Sequence, residues 1–344
     1  MSVEKTVIII HPNPTNMIDL TTTYMGLSLR SPVIVGSSGL TRSIDNLKEM
    51  EANGAGAVVL KSLFEEQIKF EIRKVFSYDD MVSAYTEADD YIRNYARTHA
   101  LDEYLNLIRD AKKAISIPVI ASINCVSAEE WTSFAKNIQE AGADGLELNV
   151  FVLPSDVDKE AAEYEKLYFD IVEKVKKEVS IPIALKISSH FSGMANFVKK
   201  LSWTGVKGVV LFNRFFNPDI DIEKFRMTAS SIYSTPEEIT TSLRWIGILA
   251  GRVQTDLCAS TGVHDGKGVI KQLLAGAKAV QVCSTLYKNG FGQIERINQE
   301  LTEWMEQNNF SKIGDFDGKM SSKKGESPAA YQRVQFMKHF AGID

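Results

Sequence analysis

Two lysines stand inside runs that otherwise look like buried strands. Lys186 lies in Ile183-Ala184-Leu185-Lys186-Ile187, and Lys61 closes Ala57-Val58-Val59-Leu60-Lys61. A buried ammonium is costly without a partner, so each needs a reason. The plainest reason for Lys186 is a salt bridge with Glu147 in Gly145-Leu146-Glu147-Leu148-Asn149. Two chemical reasons compete with it. Lys186 could be the Schiff-base nucleophile of a lyase, which requires an uncharged amine. It could instead offset negative charge on an electron-rich ring as that ring is reduced. A second feature bears on the choice. Ser260-Thr261-Gly262-Val263 and Ser284-Thr285 are small-residue turns, each following an apolar run. Their backbone N–H groups are uncovered by side chains and can converge on one anion. Gly and Ser are common in ordinary turns too. Two lysines, two asparagines (Asn124 and Asn149) and a phosphate cradle fit flavin mononucleotide (FMN) better than a Schiff base.

The elements that position these residues recur as a phrase. Asn53-Gly54-Ala55-Gly56, Ala141-Gly142-Ala143-Asp144, Thr204-Gly205-Val206-Lys207 and Ala275-Gly276-Ala277-Lys278 each lead into an apolar run. The glycine suits the left-handed residue that ends a helix. Continuous apolar runs suit parallel strands covered on both faces. With 32–36, 118–123, 182–187 and 252–259 there are eight runs, separated by helical segments such as 43–53, 266–275 and 293–307. That is the count of an α/β fold of the (β/α)8 TIM-barrel type. A doubly wound sheet is the alternative. Residues 21–29 predict an N-terminal hairpin, turned at Tyr24-Met25-Gly26, that plugs the barrel floor. Long connections follow the second and sixth runs, at 64–100 and 213–234, where lids or oligomer contacts are expected. The predicted organisation is a poorly ordered leader at 1–16, a barrel at 17–320, and a solvated tail at 321–344 with a short helix near 330–339.

Barrel chemistry sits at the C-terminal ends of the strands. Those ends offer Ser37 and Ser38, Lys61 and Ser62, Asn124 and Cys125, Asn149, then Lys186 with Ser188, Ser189 and His190. The last three runs offer Asn213 and Arg214, Thr261 and Gly262, and Ser284. Arg214 could clamp a substrate carboxylate.

The chain has 344 residues, a net charge of −5 and no basic stripe, which argues against nucleic-acid binding. Its three cysteines, Cys125, Cys258 and Cys283, show no CxxC spacing. That excludes a zinc knuckle and fits a reducing cytoplasm; no metal is expected. No apolar run reaches the ~20 residues of a membrane span.

Several phrases, in order, resemble the class 1 branch of the dihydroorotate dehydrogenase family. They are 31–39 (SPVIVGSSG), 60–62 (LKS), 147–149 (ELN), 184–187 (ALKI), 260–263 (STGV), 281–286 (QVCSTL) and 313–319 (IGDFDGK). The resemblance runs from about Leu20 to Met320. It implies FMN at the barrel top, oxidising dihydroorotate to orotate in pyrimidine biosynthesis. Ring contacts would come from Ser37, Ser38, Gly39, Lys61, Ser62, Asn124, Asn149 and Lys186. Phosphate contacts would come from Thr261, Gly262, Val263, Cys283 and Ser284. Substrate would meet Asn149, Asn213 and Arg214. Class 1 relatives are cytoplasmic and often homodimers.

The departures are as informative. The family places a Cys or Ser base three residues after the strand-four Asn, and Val152 stands there. Valine cannot take a proton from substrate carbon. Ser155, or Asp156 beside it, could serve only if the loop shifted. Cys125 is the nearer thiol in kind, although a packed side chain is the simpler reading. Glu65-Glu66-Gln67-Ile68 replaces an Asn-Pro-x-Pro-Arg phrase, and Tyr233-Ser234 replaces a Gly pair. The chain looks like a dehydrogenase-like subgroup with an FMN site and incomplete catalytic residues. Three functions remain open: an FMN oxidoreductase, a non-catalytic FMN-binding protein, and a lyase using Lys186.

Overall fold

A computed structural model describes residues 18–64, 86–124, 128–215, 217–229, 231–325 and 331. The expected leader at 1–16, Cys125, residues 65–68 and the expected helix at 330–339, apart from residue 331, lie outside the described residues. The strands in chain order are β1 (Thr22–Tyr24), β2 (Leu27–Leu29), β3 (Val33–Val35), β4 (Ala57–Val59), β5 (Leu63–Phe64), β6 (Val119–Asn124), β7 (Gly145–Asn149), β8 (Ile183–Ile187), β9 (Gly208–Leu211), β10 (Pro218–Asp221), β11 (Arg226–Ala229), β12 (Asp256–Ser260) and β13 (Ala279–Val282). The helices are α1 (Ile44–Ala52), α2 (Thr86–Ala114), α3 (Ala128–Glu140), α4 (Ala161–Glu178), α5 (Met194–Trp203), α6 (Ile239–Leu249), α7 (Gly266–Ala275), α8 (Ser284–Asn289) and α9 (Gly292–Gln307).

Parallel pairing runs β3–β4–β6–β7–β8–β9–β12–β13 and returns from β13 to β3. The ring is closed, so the fold is a (β/α)8 barrel and not an open doubly wound sheet. Gly54, Gly142, Gly205 and Gly276 all take φ between 90° and 112° just before a barrel strand. The helices are held by their apolar stripes and caps. On α4, Tyr168, Ile171, Val172 and Val175 are buried at helical spacing. Ser43 caps α1 through the Asn46 N–H, and Asp265 caps α7 through the Gly268 N–H.

The hairpin β1–β2 seals the floor. Met25 and Gly26 turn it with φ of 58° and 81°, as a two-residue primed turn requires. Tyr24 and Met25 enter a core lined by Ile34, Ala57, Val59, Ile120, Ala184, Val210, Cys258 and Ala279. The alanines leave the room that Tyr24 and Met25 fill. The Met25 N–H donates to Asp256 Oδ2 at 2.9 Å. Burial pushes the Asp256 carboxyl above its ordinary value, against that hydrogen bond and Lys278. With the folded value raised, the native state holds the proton more tightly. Stability therefore falls as pH rises through the folded value. Asp256→Asn keeps an acceptor for Met25 and is expected to raise the urea midpoint at pH 7. The gain should vanish in acid, where the wild-type carboxyl is protonated; an equal gain at both pH values would contradict the burial argument.

Four expectations change. The seventh barrel strand begins at Asp256, not Arg252, because Gly251 (φ 71°) and the Arg252 N–H to Leu249 carbonyl bond extend the turn after α6. The first long connection gives way to helix α2 from Thr86. The second carries the antiparallel hairpin β10–β11, with Ile220 opposite Met227. The expected tail is not solvated at its start. Ser321 and Ser322 are buried, and Ser322 donates to the carbonyls of Gly247 and Ile248 that end α6.

Candidate active site

Register sets the floor of the barrel mouth. Asn149 on β7 lies beside Lys186 on β8, Ser122 on β6 beside Glu147 on β7, and Ser260 on β12 beside Gln281 on β13. Strand side chains alternate in direction, so residues two beyond the apolar inner layer also point inward. Ile120, Ala184 and Ala279 are thus followed by Ser122, Lys186 and Gln281. Lys186 Nζ donates to Gln281 Oε1 at 2.8 Å, and Gln281 Nε2 donates to Glu147 Oε2 at 2.5 Å. Lys186 Nζ also lies 3.7 Å from Glu147 Oε1. Glu147 is only 1% exposed. The salt bridge expected as the plainest explanation of Lys186 is therefore present, with Gln281 spanning it.

A hydroxyl chain joins the opposite side. Ser37 Oγ accepts the Ser62 N–H at 2.8 Å, and Ser62 Oγ lies 2.7 Å from Ser122 Oγ. Asn149 Nδ2 reaches Ser62 Oγ at 3.5 Å. Tyr104 fixes Ser122 from outside, donating to its carbonyl and accepting its N–H. Asn213 Nδ2 donates to the Lys186 carbonyl at 3.4 Å. Ser37, Ser62 and Asn149 thus form one hydrogen-bonded group and Lys186 and Asn213 another, set side by side by the Asn149–Lys186 register. Asn124 ends β6 and is half-buried. The Asn149 Oδ1 atom has no partner among the described residues. Lys61 is half-buried; burial first, and then the Arg42 charge, push its pKa down. Ser38 caps the short helical turn at Gly39–Arg42. Burial pushes the Cys283 thiol up, partly offset by Ser38.

The two small-residue turns face one another. Thr261 and Gly262 take φ of 76° and 78°, and Thr261 Oγ1 is 3.4 Å from the Phe212 carbonyl. A Cβ on Gly262 would run into the backbone of Glu238 and Ile239 at the start of α6. Among the described residues, the N–H groups of Gly262, Val263, Ser284 and Thr285 donate to no other protein group. Ser234 links the turns: its N–H donates to Ser284 Oγ at 3.0 Å, and its Oγ lies 3.1 Å from His264 Nε2. Lys288 Nζ donates to the Ser234 carbonyl at 3.0 Å. Burial, then the Lys288 charge, hold His264 below its ordinary value. The arrangement sets unbonded N–H donors beside the basic Lys288, a combination suited to an anion.

No general base emerges at the expected place. Val152 turns partly into the core. Ser155 is exposed in the loop after β7 and makes no hydrogen bond to Asn149, Lys186 or Asn213. Arg214, expected as a carboxylate clamp, is engaged within the protein. Its Nε and Nη2 bind Glu238, at 2.8 and 3.3 Å, and its Nη1 binds the carbonyls of Ser231 and Ile232. Burial opposes ionisation of Glu238, but the Arg214 hydrogen bond and charge, with the Thr235 N–H, still hold its carboxyl below the usual range. Arg214 is a strut for the loop before α6.

Sequence reasoning missed Gln281, Ser122 and Tyr104. Gln281 carried a usable signal, a polar residue inside Ala279-Val280-Gln281-Val282, parallel to Lys186 inside its own run.

Against this geometry, the chain matches the dihydroorotate dehydrogenase family over residues 19–305. It belongs to that family. Relatives span nearly the whole barrel. The catalytic subunit of dihydroorotate dehydrogenase B (NAD(+)) from Thermoplasma volcanium is 28% identical over 314 residues, covering 88% of this chain and 98% of the relative. Dihydroorotate dehydrogenase A (fumarate) from Lactococcus lactis subsp. cremoris is 27% identical over 322 residues, covering 88% and 99%. The corresponding B-type catalytic subunit of Methanocaldococcus jannaschii is 24% identical over 302 residues. The chain is thus of a dihydroorotate dehydrogenase-like oxidoreductase family. No helix among the described residues is long and apolar enough to cross a membrane.

Proposed function

We propose that this protein is an FMN-dependent oxidoreductase that has left dihydroorotate chemistry behind. The observation that carries the reading is the polar floor of Ser37, Ser62, Asn149, Lys186 and Asn213, set beside two turns whose N–H groups donate to no protein group among the described residues. These residues fit FMN. The orphaned end of the Asn149 amide offers the ring a hydrogen-bonding partner. The tight Gly262 turn lets backbone approach a phosphate, with Val263, Cys283 and Ser284 around it. Ser38, Gly39, Lys61 and Asn124 complete the rim.

FMN supplies a two-electron acceptor at the barrel mouth. Lys186, held by Gln281, presents an ammonium that offsets negative charge there. Asn149 and Asn213 orient a small-molecule substrate. Val152 packs partly against the core and carries no proton. The names of the relatives point to two different acceptors, NAD(+) and fumarate, and neither carries over to this chain. We place the protein in the cytoplasm as a homodimer, on the pattern of class 1 relatives.

A non-catalytic FMN-binding protein is the second reading, favoured by Val152. The lyase reading weakens because Lys186 Nζ is committed to Gln281 and Glu147 and is not free to attack a carbonyl. Anaerobic addition of dihydroorotate to FMN-loaded protein tests the proposal. The flavin bands are expected to persist over many minutes. Rapid bleaching would show that another residue supplies the base. A substrate screen read by bleaching separates a changed enzyme from an inert binder, and borohydride trapping of a carbonyl compound on Lys186 would revive the lyase.

A further inference from the structure

Three neighbouring strands end in aromatic rings directly beyond the polar floor. Phe151 follows Asn149 by two residues, His190 follows Lys186 by four, and Phe215 follows Asn213 by two. Phe151 and Phe215 stack at 4.1 Å between centroids and 14° between planes. His190 meets Phe215 edge-on at 5.0 Å. This stack bridges the ends of β7 and β9, across β8. Phe151 remains 44% exposed and Leu153 48%. Large apolar groups left open in a polar mouth mark a ligand surface.

Among the described residues, the two charges next to this wall, Arg214 and Lys186, are already engaged. Arg214 has its guanidinium closed by Glu238 and two carbonyls. Lys186 is held by Gln281 and Glu147. Lys186 can receive a ligand carboxylate only by giving up a buried contact, which is expensive, and Arg214 only by giving up its part-buried pair with Glu238. What the site does offer is amide hydrogen bonding from Asn149 and Asn213 beside flat apolar faces.

We infer that the substrate of this site is an uncharged, planar, conjugated carbonyl compound, and not a carboxylated pyrimidine. Its ring system packs against the Phe151–Phe215 pair. Its carbonyl oxygen accepts from Asn149 or Asn213. This inference rests on the FMN reading and names the substrate class for that site.

Coumarin, which is neutral, flat and carbonyl-bearing, is the probe; orotate is the comparison. FMN content is measured first. A chain that takes up no FMN defeats the reading on which this inference rests, before any aromatic is added. The loaded protein is then titrated with each compound, following perturbation of the visible flavin bands. Coumarin is expected to bind at least tenfold more tightly than orotate. Phe151→Leu and Phe215→Leu keep apolar bulk but remove the flat face. Each is expected to weaken coumarin at least tenfold with FMN affinity unchanged. Loaded protein that binds orotate as tightly as coumarin overturns the inference. So does coumarin binding that survives in both variants, or coumarin that fails to bind at all.

Discussion

Lys186→Met is expected to destabilise the fold by about 3–5 kcal/mol, the usual consequence of breaking a buried ion pair from one side. The substitution removes the ammonium and leaves Glu147, 1% exposed, with Gln281 as its remaining partner. Among the described residues Glu147 Oε1 already has no hydrogen bond, so loss of the charge 3.7 Å away is not made up locally. The loss is read as a lower urea midpoint with an unchanged slope. The double variant Lys186→Met/Glu147→Leu removes both charges and should recover much of the loss. If the single variant is neutral, or the double variant is worse than the single, Lys186 and Glu147 do not form the coupled pair described above. FMN affinity should fall about 10–100-fold in both variants, as expected for a lost hydrogen bond to a charged group worth about 1.5–3 kcal/mol. That second readout separates a flavin role from a purely structural one. A structural role alone predicts that the double variant regains FMN affinity together with stability.

Gly262→Ala is the second large effect. At φ 78° an alanine side chain is strained, at about 1–2 kcal/mol. The added carbon also meets backbone, not a movable side-chain end, at Glu238 and Ile239. The turn or the start of α6 must shift. A shift there misplaces the N–H groups of Gly262 and Val263 and disturbs Glu238, which holds Arg214. FMN affinity is expected to drop by roughly tenfold or more, while riboflavin, which lacks the phosphate, binds about as it does to wild type. Equal losses for FMN and riboflavin would show that the turn does not hold the phosphate. Gly142→Ala is the control. It has a similar φ of 96° but nothing within 4 Å of the added carbon. It should cost some stability and leave the FMN-to-riboflavin ratio alone.

Much of the scaffold was legible in the sequence because its signals are local. A left-handed glycine before each of four apolar runs marks helix end and strand start within a few residues. Ser43 and Asp265 cap helices by reaching only three residues ahead. Lys61, Asn149 and Lys186 stood out as polar residues at the tops of apolar strands. The partnerships did not show. Glu147 and Gln281 are 134 residues apart, and Arg214 and Glu238 are 24 apart. Only barrel closure and register bring the first pair together. Gln281 was absorbed into an apolar run, although the period of two from Ala279 would have turned it inward. The hairpin β10–β11 was also invisible. Ile220, Phe225 and Met227 are largely exposed, so no alternation of buried and open positions marks it. The contacts of Arg214 were not legible either, because an arginine at a strand top fits a clamp as readily as a strut.

The most direct test is the visible absorption spectrum of the purified protein, before and after incubation with FMN and removal of the excess. The account predicts the two flavin bands at close to one FMN per chain, and a smaller retained share in Gly262→Ala at the same FMN concentration. A folded protein that keeps no flavin after reconstitution would contradict the central claim.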